Sequence, residues 1–278
     1  MLATRGVFWI VTFAAFGLLI AFVPAKKKSN PPGTIYFRDN LFMDAEPIDN
    51  IGYLEFLYST SHYDRDCMLA YVNAMDNGQL LWVDDCKKYF DEHCKLSESE
   101  TDSLVRFRSF PFAYCYFNDT SFLEGDVYLK HPAFYSYPFV GADYEEAKNY
   151  CEWRTAMVKI LYHVSYSAQE RPIKAYSNFE YRLPTYDELV TFAKQFETMG
   201  KVVKPEENST DTLWCPRLSV SKKPKEAAFS NIYEYTRSED SLFYVMESDT
   251  GLTFSNQVDE TMIGKRYKGF RCVCEIKD

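Results

Sequence analysis

Hydrophobic and polar positions alternate with a period of two over GTIYFRDNLFMD (33–44), where Ile35 and Phe37, then Leu41 and Met43, fall on one side. Such alternation marks half-buried strands, and Asp39-Asn40 between the two runs predicts a hairpin turn. The spacing then lengthens to that of a helix. Asn50 is placed to cap IGYLEFLYS, with Ile51, Leu54, Leu57 and Tyr58 as its apolar face. Further helical patterns run over Asp64–Ala74 and Trp82–His93. Asp143-x-x-Glu146 and Thr185-x-x-Glu188 are capping boxes, in which the first side chain accepts an early helical N–H and the glutamate reaches back. The first opens a helix with Ala147, Cys151, Met157 and Leu161 near one face. The second follows Pro184 and turns Leu189, Phe192, Ala193 and Phe196 inward. A polar loop (201–212) and short strand candidates complete the chain. Helices mixed with short strands and long irregular loops predict an α+β fold.

Residues 6–23 form an uncharged apolar run, preceded by Arg5 and followed by Lys26-Lys27-Lys28. That length lies between a signal-peptide core and a membrane span, so residues 1–28 read as a signal peptide or an N-terminal anchor. The lysines on the C-terminal flank favour a cytoplasmic position for it. Eight cysteines, an even number, point the other way, to an oxidising compartment outside the cytoplasm. Export of residues 29–278 as one domain is the expectation, with the membrane touched only through the apolar segment. Apolar residues make up 46 % of the 278, enough for a substantial core. The net charge of −9, with basic runs only at Lys26–Lys28 and Lys222–Lys225, argues against nucleic acid.

Three segments carry a family likeness: HPAFYSYPFVGADYEEAKNYCEWR (131–154), YRLPTYDEL (181–189) and GFRCVC (269–274). In this order they resemble the signature of the formylglycine-generating enzyme family, the sulfatase-modifying-factor domains. The opening Glu46-Pro47-Ile48-Asp49-Asn50 with Tyr53 and Phe56-Leu57 is similar to the family's first strand and helix. The resemblance implies an irregular α+β sulfatase-modifying-factor fold, distantly like C-type lectins. It also implies a Cys151–Cys272 disulfide, closing a loop of about 120 residues and worth about 4–5 kcal/mol in the chain-entropy model. Cys274 would then bridge to Cys215, the other cysteine of the C-terminal half. The rival for Cys272-x-Cys274 is a Cu(I) grip, since residues two apart on a strand share a face.

Family enzymes place a copper-binding cysteine pair shortly before the terminal GFRC. Here Tyr235 to Arg271 contains no cysteine, and copper chemistry is not expected. Ser230-Asn231-Ile232-Tyr233-Glu234-Tyr235 resembles the family's calcium-wrapping Gly-Asn-Val-Trp-Glu-Trp. The resemblance keeps the carbonyls of Ser230 and Ile232 and the carboxylate of Glu234 as candidate calcium ligands, while the asparagine expected earlier is Ala227. A three-histidine iron site is not supported by His62, His93, His131 and His163, which show no helical pairing.

An insertion at about 61–128 matches nothing in the family and holds Cys67, Cys86, Cys94 and Cys115. No Cys-x-x-Cys spacing appears there, so local cross-linking outweighs a metal site using His93. Asn118 and Asn208 head glycosylation sequons that mark exposed loops. Arg154, Arg182 and Arg271 sit inside the matching segments and read as buried organisers of loops rather than substrate ligands. The aromatic stretches at 107–117 and 134–139 suit a partner surface, with core packing as the plainer account. The function expected is an exported, non-catalytic domain that binds an envelope protein, as relatives do in secretion or gliding machinery. The alternatives are a divergent oxidoreductase acting on a protein cysteine and a lectin-like glycan-binding module.

Overall fold

The computed structural model describes residues 30–76, 86–97, 115–117, 121–123, 129, 134–167, 176, 178–203, 226–229, 232–248, 251–256 and 268–277. The chain is α+β. The expected hairpin forms from β1 (Thr34–Arg38) and β2 (Leu41–Asp44), antiparallel, and Asp39 turns the chain with φ 45°. The last strand, β12 (Val273–Ile276), lies between β2 and β5 (Phe179–Arg182), so the sheet order is β1-β2-β12-β5. Val273 stands opposite Met43 and Arg182, and Cys274 opposite Phe42 and Tyr181. The two ends of the described chain are therefore joined through one antiparallel sheet.

That sheet separates two cores. On one face Ile35, Phe37, Met43 and Val273 meet Leu189, Phe192, Ala193 and Phe196 of α5 (Tyr186–Thr198; numbered in chain order). All four inward positions foreseen for α5 are buried, and the Thr185–Glu188 capping box is present. On the opposite face Phe42, Cys272 and Cys274 meet α1 (Asn50–His62), α2 (Arg65–Asp76) and α4 (Tyr144–Ser167). The period of two along 272–274 thus sends Val273 to one core and both cysteines to the other. A second sheet, β10-β9-β8-β11, is built from β8 (Tyr233–Tyr235), β9 (Leu242–Ser248), β10 (Gly251–Ser255) and β11 (Lys268–Gly269), with β11 parallel to β8.

Three expectations change. Asp49, not Asn50, caps α1: its Oδ1 accepts from the Gly52 N–H at 2.9 Å, and Asn50 sits inside the helix with Nδ2 donating to Phe134 O. The buried face of α1 is Tyr53, Phe56 and Thr60, while Ile51 and Tyr58 are exposed at 42 % and 62 %. Large rings decided the rotation, because Tyr53 stacks on Phe139 at 3.5 Å and meets Phe56 and Phe270. On α4 the Asp143–Glu146 capping box forms in both directions and Ala147 and Cys151 are buried, but Leu161 is exposed. Tyr150 and Trp153 carry that face instead.

The insertion supplies α2 and α3 (Cys86–His93), and Met68, Tyr71, Val72 and Phe90 join the same core as Tyr53 and Cys272. Cys67 and Cys94 form a disulfide across it. That bridge leaves the Cys94 sulfur unable to serve with His93 as a metal ligand. Short pairs β3 (Cys115–Phe117) with β4 (Ser121–Leu123) and β6 (Val202–Val203) with β7 (Ala227–Ala228) complete the described strands. Gly269 opens the terminal segment because a Cβ there would lie 2.6 Å from the Phe139 carbonyl oxygen. Among the described residues no helix is long and apolar enough to cross a membrane. The apolar run at 6–23 lies outside them.

Candidate functional site

The family-like segments converge where α4 crosses β12. Cys151, on the inner face of α4, and Cys272, just before β12, place their sulfurs 3.3 Å apart. This is contact between two thiols, not the bridge that the resemblance implies, which needs about 2.0 Å. Cys274 is a third buried thiol on the same side of the strand. Burial pushes the Cys151 thiol well above its ordinary range, and its contact with Cys272 pushes in the same direction. Burial likewise raises Cys274 to about 12. A thiolate is the nucleophile and the metal ligand, so Cys151 and Cys274 are held in their unreactive form. The Cys215 partner foreseen for Cys274 lies outside the described residues.

Beside the sulfurs is a carboxylate that sequence reasoning passed over. Asp44, at the end of β2, accepts from both terminal nitrogens of Arg154 at 2.7 and 2.8 Å and from the Cys272 N–H at 2.8 Å. Arg154 also donates to Pro32 O and lies over the Tyr181 ring, 4.4 Å from its centroid. The signal was present: alternation in β2 puts Asp44 on the face of Phe42, and a carboxylate aimed at a core demands a cation.

Arg271 is wholly buried. Its Nε and Nη2 donate to the two oxygens of Glu234 at 2.6 and 2.7 Å, with further bonds to Asp44 O and Ala228 O. Arg182, opposite Val273 in the sheet, is held in a similar way, donating to Glu188 through two nitrogens and to Glu275 through Nε. That pairing and the capping bond lower the Glu188 carboxyl, against a burial effect that raises it. All three motif arginines therefore join segments far apart in sequence, as expected for organisers.

The same geometry decides the calcium fit. Both Glu234 oxygens already accept from Arg271, whose charge repels a cation at that carboxylate. Ile232 is buried, Ser230 lies outside the described residues, and Ala227 offers no side-chain oxygen. This donor set does not fit calcium, which takes six to eight oxygens. The arrangement is instead that of a buried ion pair. Among the described residues no group of three or more His, Cys, Asp or Glu is placed to hold a metal ion. Of the aromatic stretch at 134–139, Pro138 and Phe139 are buried, and residues 134–137 are partly exposed.

A second locus has a different character. Thr185, Tyr186 and Asp187 face Thr236, Arg237, Ser238 and Ser241 across a groove of about 380 Å³. Its walls are fixed. The Arg237 N–H donates to Pro184 O at 2.7 Å, Thr236 Oγ1 donates to Ser241 O at 2.6 Å, and the Tyr186 ring meets Phe243 edge-on. No sequence pattern announced it, because turn 236–241 and the head of α5 meet only through the fold. Comparison with family models, curated proteins and solved structures finds no match to the chain.

Proposed function

We propose that this chain is an exported, non-catalytic sulfatase-modifying-factor-like domain that serves as a binding or scaffold component of a cell envelope, facing a protein partner. The observation that carries the non-catalytic part is the state of the sulfurs. Cys151, Cys272 and Cys274 are all buried, and Cys151 and Cys274 are raised in pKa. Formylglycine formation needs a metal-bound thiolate open to a substrate thiol, and a peptide cannot reach sulfurs packed between α4 and β12. What supports the family fold is the convergence of its segments: the YCEWR helix lies against the GFRC strand, which pairs with the YR strand. What supports export is the apolar N-terminal run and the Cys67–Cys94 disulfide, since such bridges persist mainly in oxidising compartments.

The test is oxygen uptake by the purified chain with a cysteine-containing sulfatase peptide, with and without copper, and mass analysis of the peptide. No uptake and no aldehyde product are expected, and turnover with either overturns the proposal. One observation favours the oxidoreductase alternative, the unbonded contact of Cys151 with Cys272 at 3.3 Å. That reading requires copper-dependent turnover that is lost in Cys272→Ser.

A further inference from the structure

Within the groove between the head of α5 and turn 236–241, five side chains keep unspent polar groups. Tyr186 Oη, the Asp187 carboxylate, the Arg237 guanidinium and the hydroxyls of Ser238 and Ser241 make no hydrogen bond or ion pair among the described residues. This contrasts with the interior, where Arg154, Arg182 and Arg271 are all committed to carboxylates. Asp187 and Arg237 carry opposite charges on one groove and yet do not close on each other. The backbone beneath them is fixed by the Arg237 N–H bond to Pro184 O and by the capping box of α5. The first amides of α5 are not on offer, because Thr185 and Glu188 already cap the helix.

The donor set selects a ligand class. A free anion would suit Arg237 and be repelled by Asp187, and a free cation meets the reverse conflict. A neutral ligand with adjacent hydroxyls satisfies both, since one hydroxyl donates to the carboxylate while its neighbour accepts from the guanidinium. The serine hydroxyls can take either role. The Tyr186 ring, steadied by Phe243, offers an apolar surface to a C–H face. A groove near 380 Å³ lies at the small end of ligand sites, and rigid walls reduce the ordering cost of binding. We propose that this groove binds a neutral terminal sugar of a glycan through its vicinal hydroxyls. The proposal uses no calcium and does not depend on the identity of a protein partner.

The test is a glycan array with the purified full chain, followed by calorimetry with the methyl glycosides of the sugars it retains. Asp187→Asn and Arg237→Gln are both at exposed positions and should leave the melting temperature unchanged. Each should weaken sugar binding by about tenfold or more, as expected for loss of a charged hydrogen bond. Ser238→Ala at the rim repeats the test should either variant unfold. Retention of no sugar, or affinity in both variants equal to that of the parent chain, overturns the proposal. Inorganic phosphate is the control: phosphate binding that tightens in Asp187→Asn, with no sugar bound, marks a simple anion site and also overturns it.

Discussion

Substituting Arg271 by Met tests whether the motif arginines hold the fold or wait for a substrate. The side chain is wholly inaccessible and Glu234, its partner, is 2 % exposed. Methionine fills much of the volume and removes the charge, leaving Glu234 as a buried carboxylate with no counter-ion. Breaking a buried pair from one side costs about 3–5 kcal/mol, because an uncompensated charge remains. The carbonyls of Asp44 and Ala228 lose a donor as well, so the upper half of that range is expected. For a domain of this size the melting temperature should fall by about 6–20 °C. Adding Glu234→Gln removes the stranded charge, and the double variant should recover at least about 1 kcal/mol. Guanidinium unfolding of the single and double variants reads both numbers. A single-variant loss under about 1 kcal/mol, or a double variant no better than the single, refutes the ion-pair account.

Three further outcomes follow from other parts of the molecule. The Glu46 carboxyl is raised from 4.5 to about 7 by burial, with Asp49 adding to the shift and Arg271 opposing it. The folded state therefore holds this proton more tightly than the unfolded chain, so its contribution to stability falls as pH rises from about 4.5 to 7 and is flat above. Glu46→Gln should flatten that part of the stability–pH curve relative to the parent, and parallel curves would remove Glu46 as the cause. Cys67→Ser opens a bridge between residues 27 apart and should cost about 3–4 kcal/mol in the chain-entropy model, read by urea unfolding beside the parent. A parent that melts identically with and without reductant would contradict a stabilising bridge. Phe192→Ala removes a fully buried ring between α5 and the first sheet and should cost about 3–5 kcal/mol. A loss below about 1 kcal/mol in urea unfolding would show that this second core is not packed as described.

How much could be read in advance divides along physical lines. Hairpin 34–44, both capping boxes and the inward face of α5 follow from local rules, in which neighbours within four residues decide the outcome. The rotation of α1 does not, because its apolar residues cover most of the circumference. Stacking of Tyr53 on Phe139, from a segment far along the chain, chose the face. The same applies to Leu161, which lies at 49 % exposure on a face of α4 that none of the described elements buries. Arg154, Arg182 and Arg271 could be recognised as organisers from charge and context, whereas their carboxylates Asp44, Glu188 and Glu234 had to be found in the fold. Glu234 is the instructive case, since a likeness to a calcium loop pointed to a ligand and the geometry supplies an arginine instead. The groove at Tyr186 and Arg237 had no linear signal, as its two walls are about fifty residues apart and each alone is ordinary turn chemistry.

Sulfurs closed off from solvent are what make this chain non-catalytic in the proposal, and alkylation of the folded chain measures their closure directly. Native protein treated with iodoacetamide, then unfolded and mapped by mass spectrometry, should show Cys151, Cys272 and Cys274 unmodified before unfolding, with Cys67 and Cys94 in one linked peptide pair. Rapid modification of Cys151 or Cys272 in the folded chain, or its suppression by added Cu(I), would contradict the account.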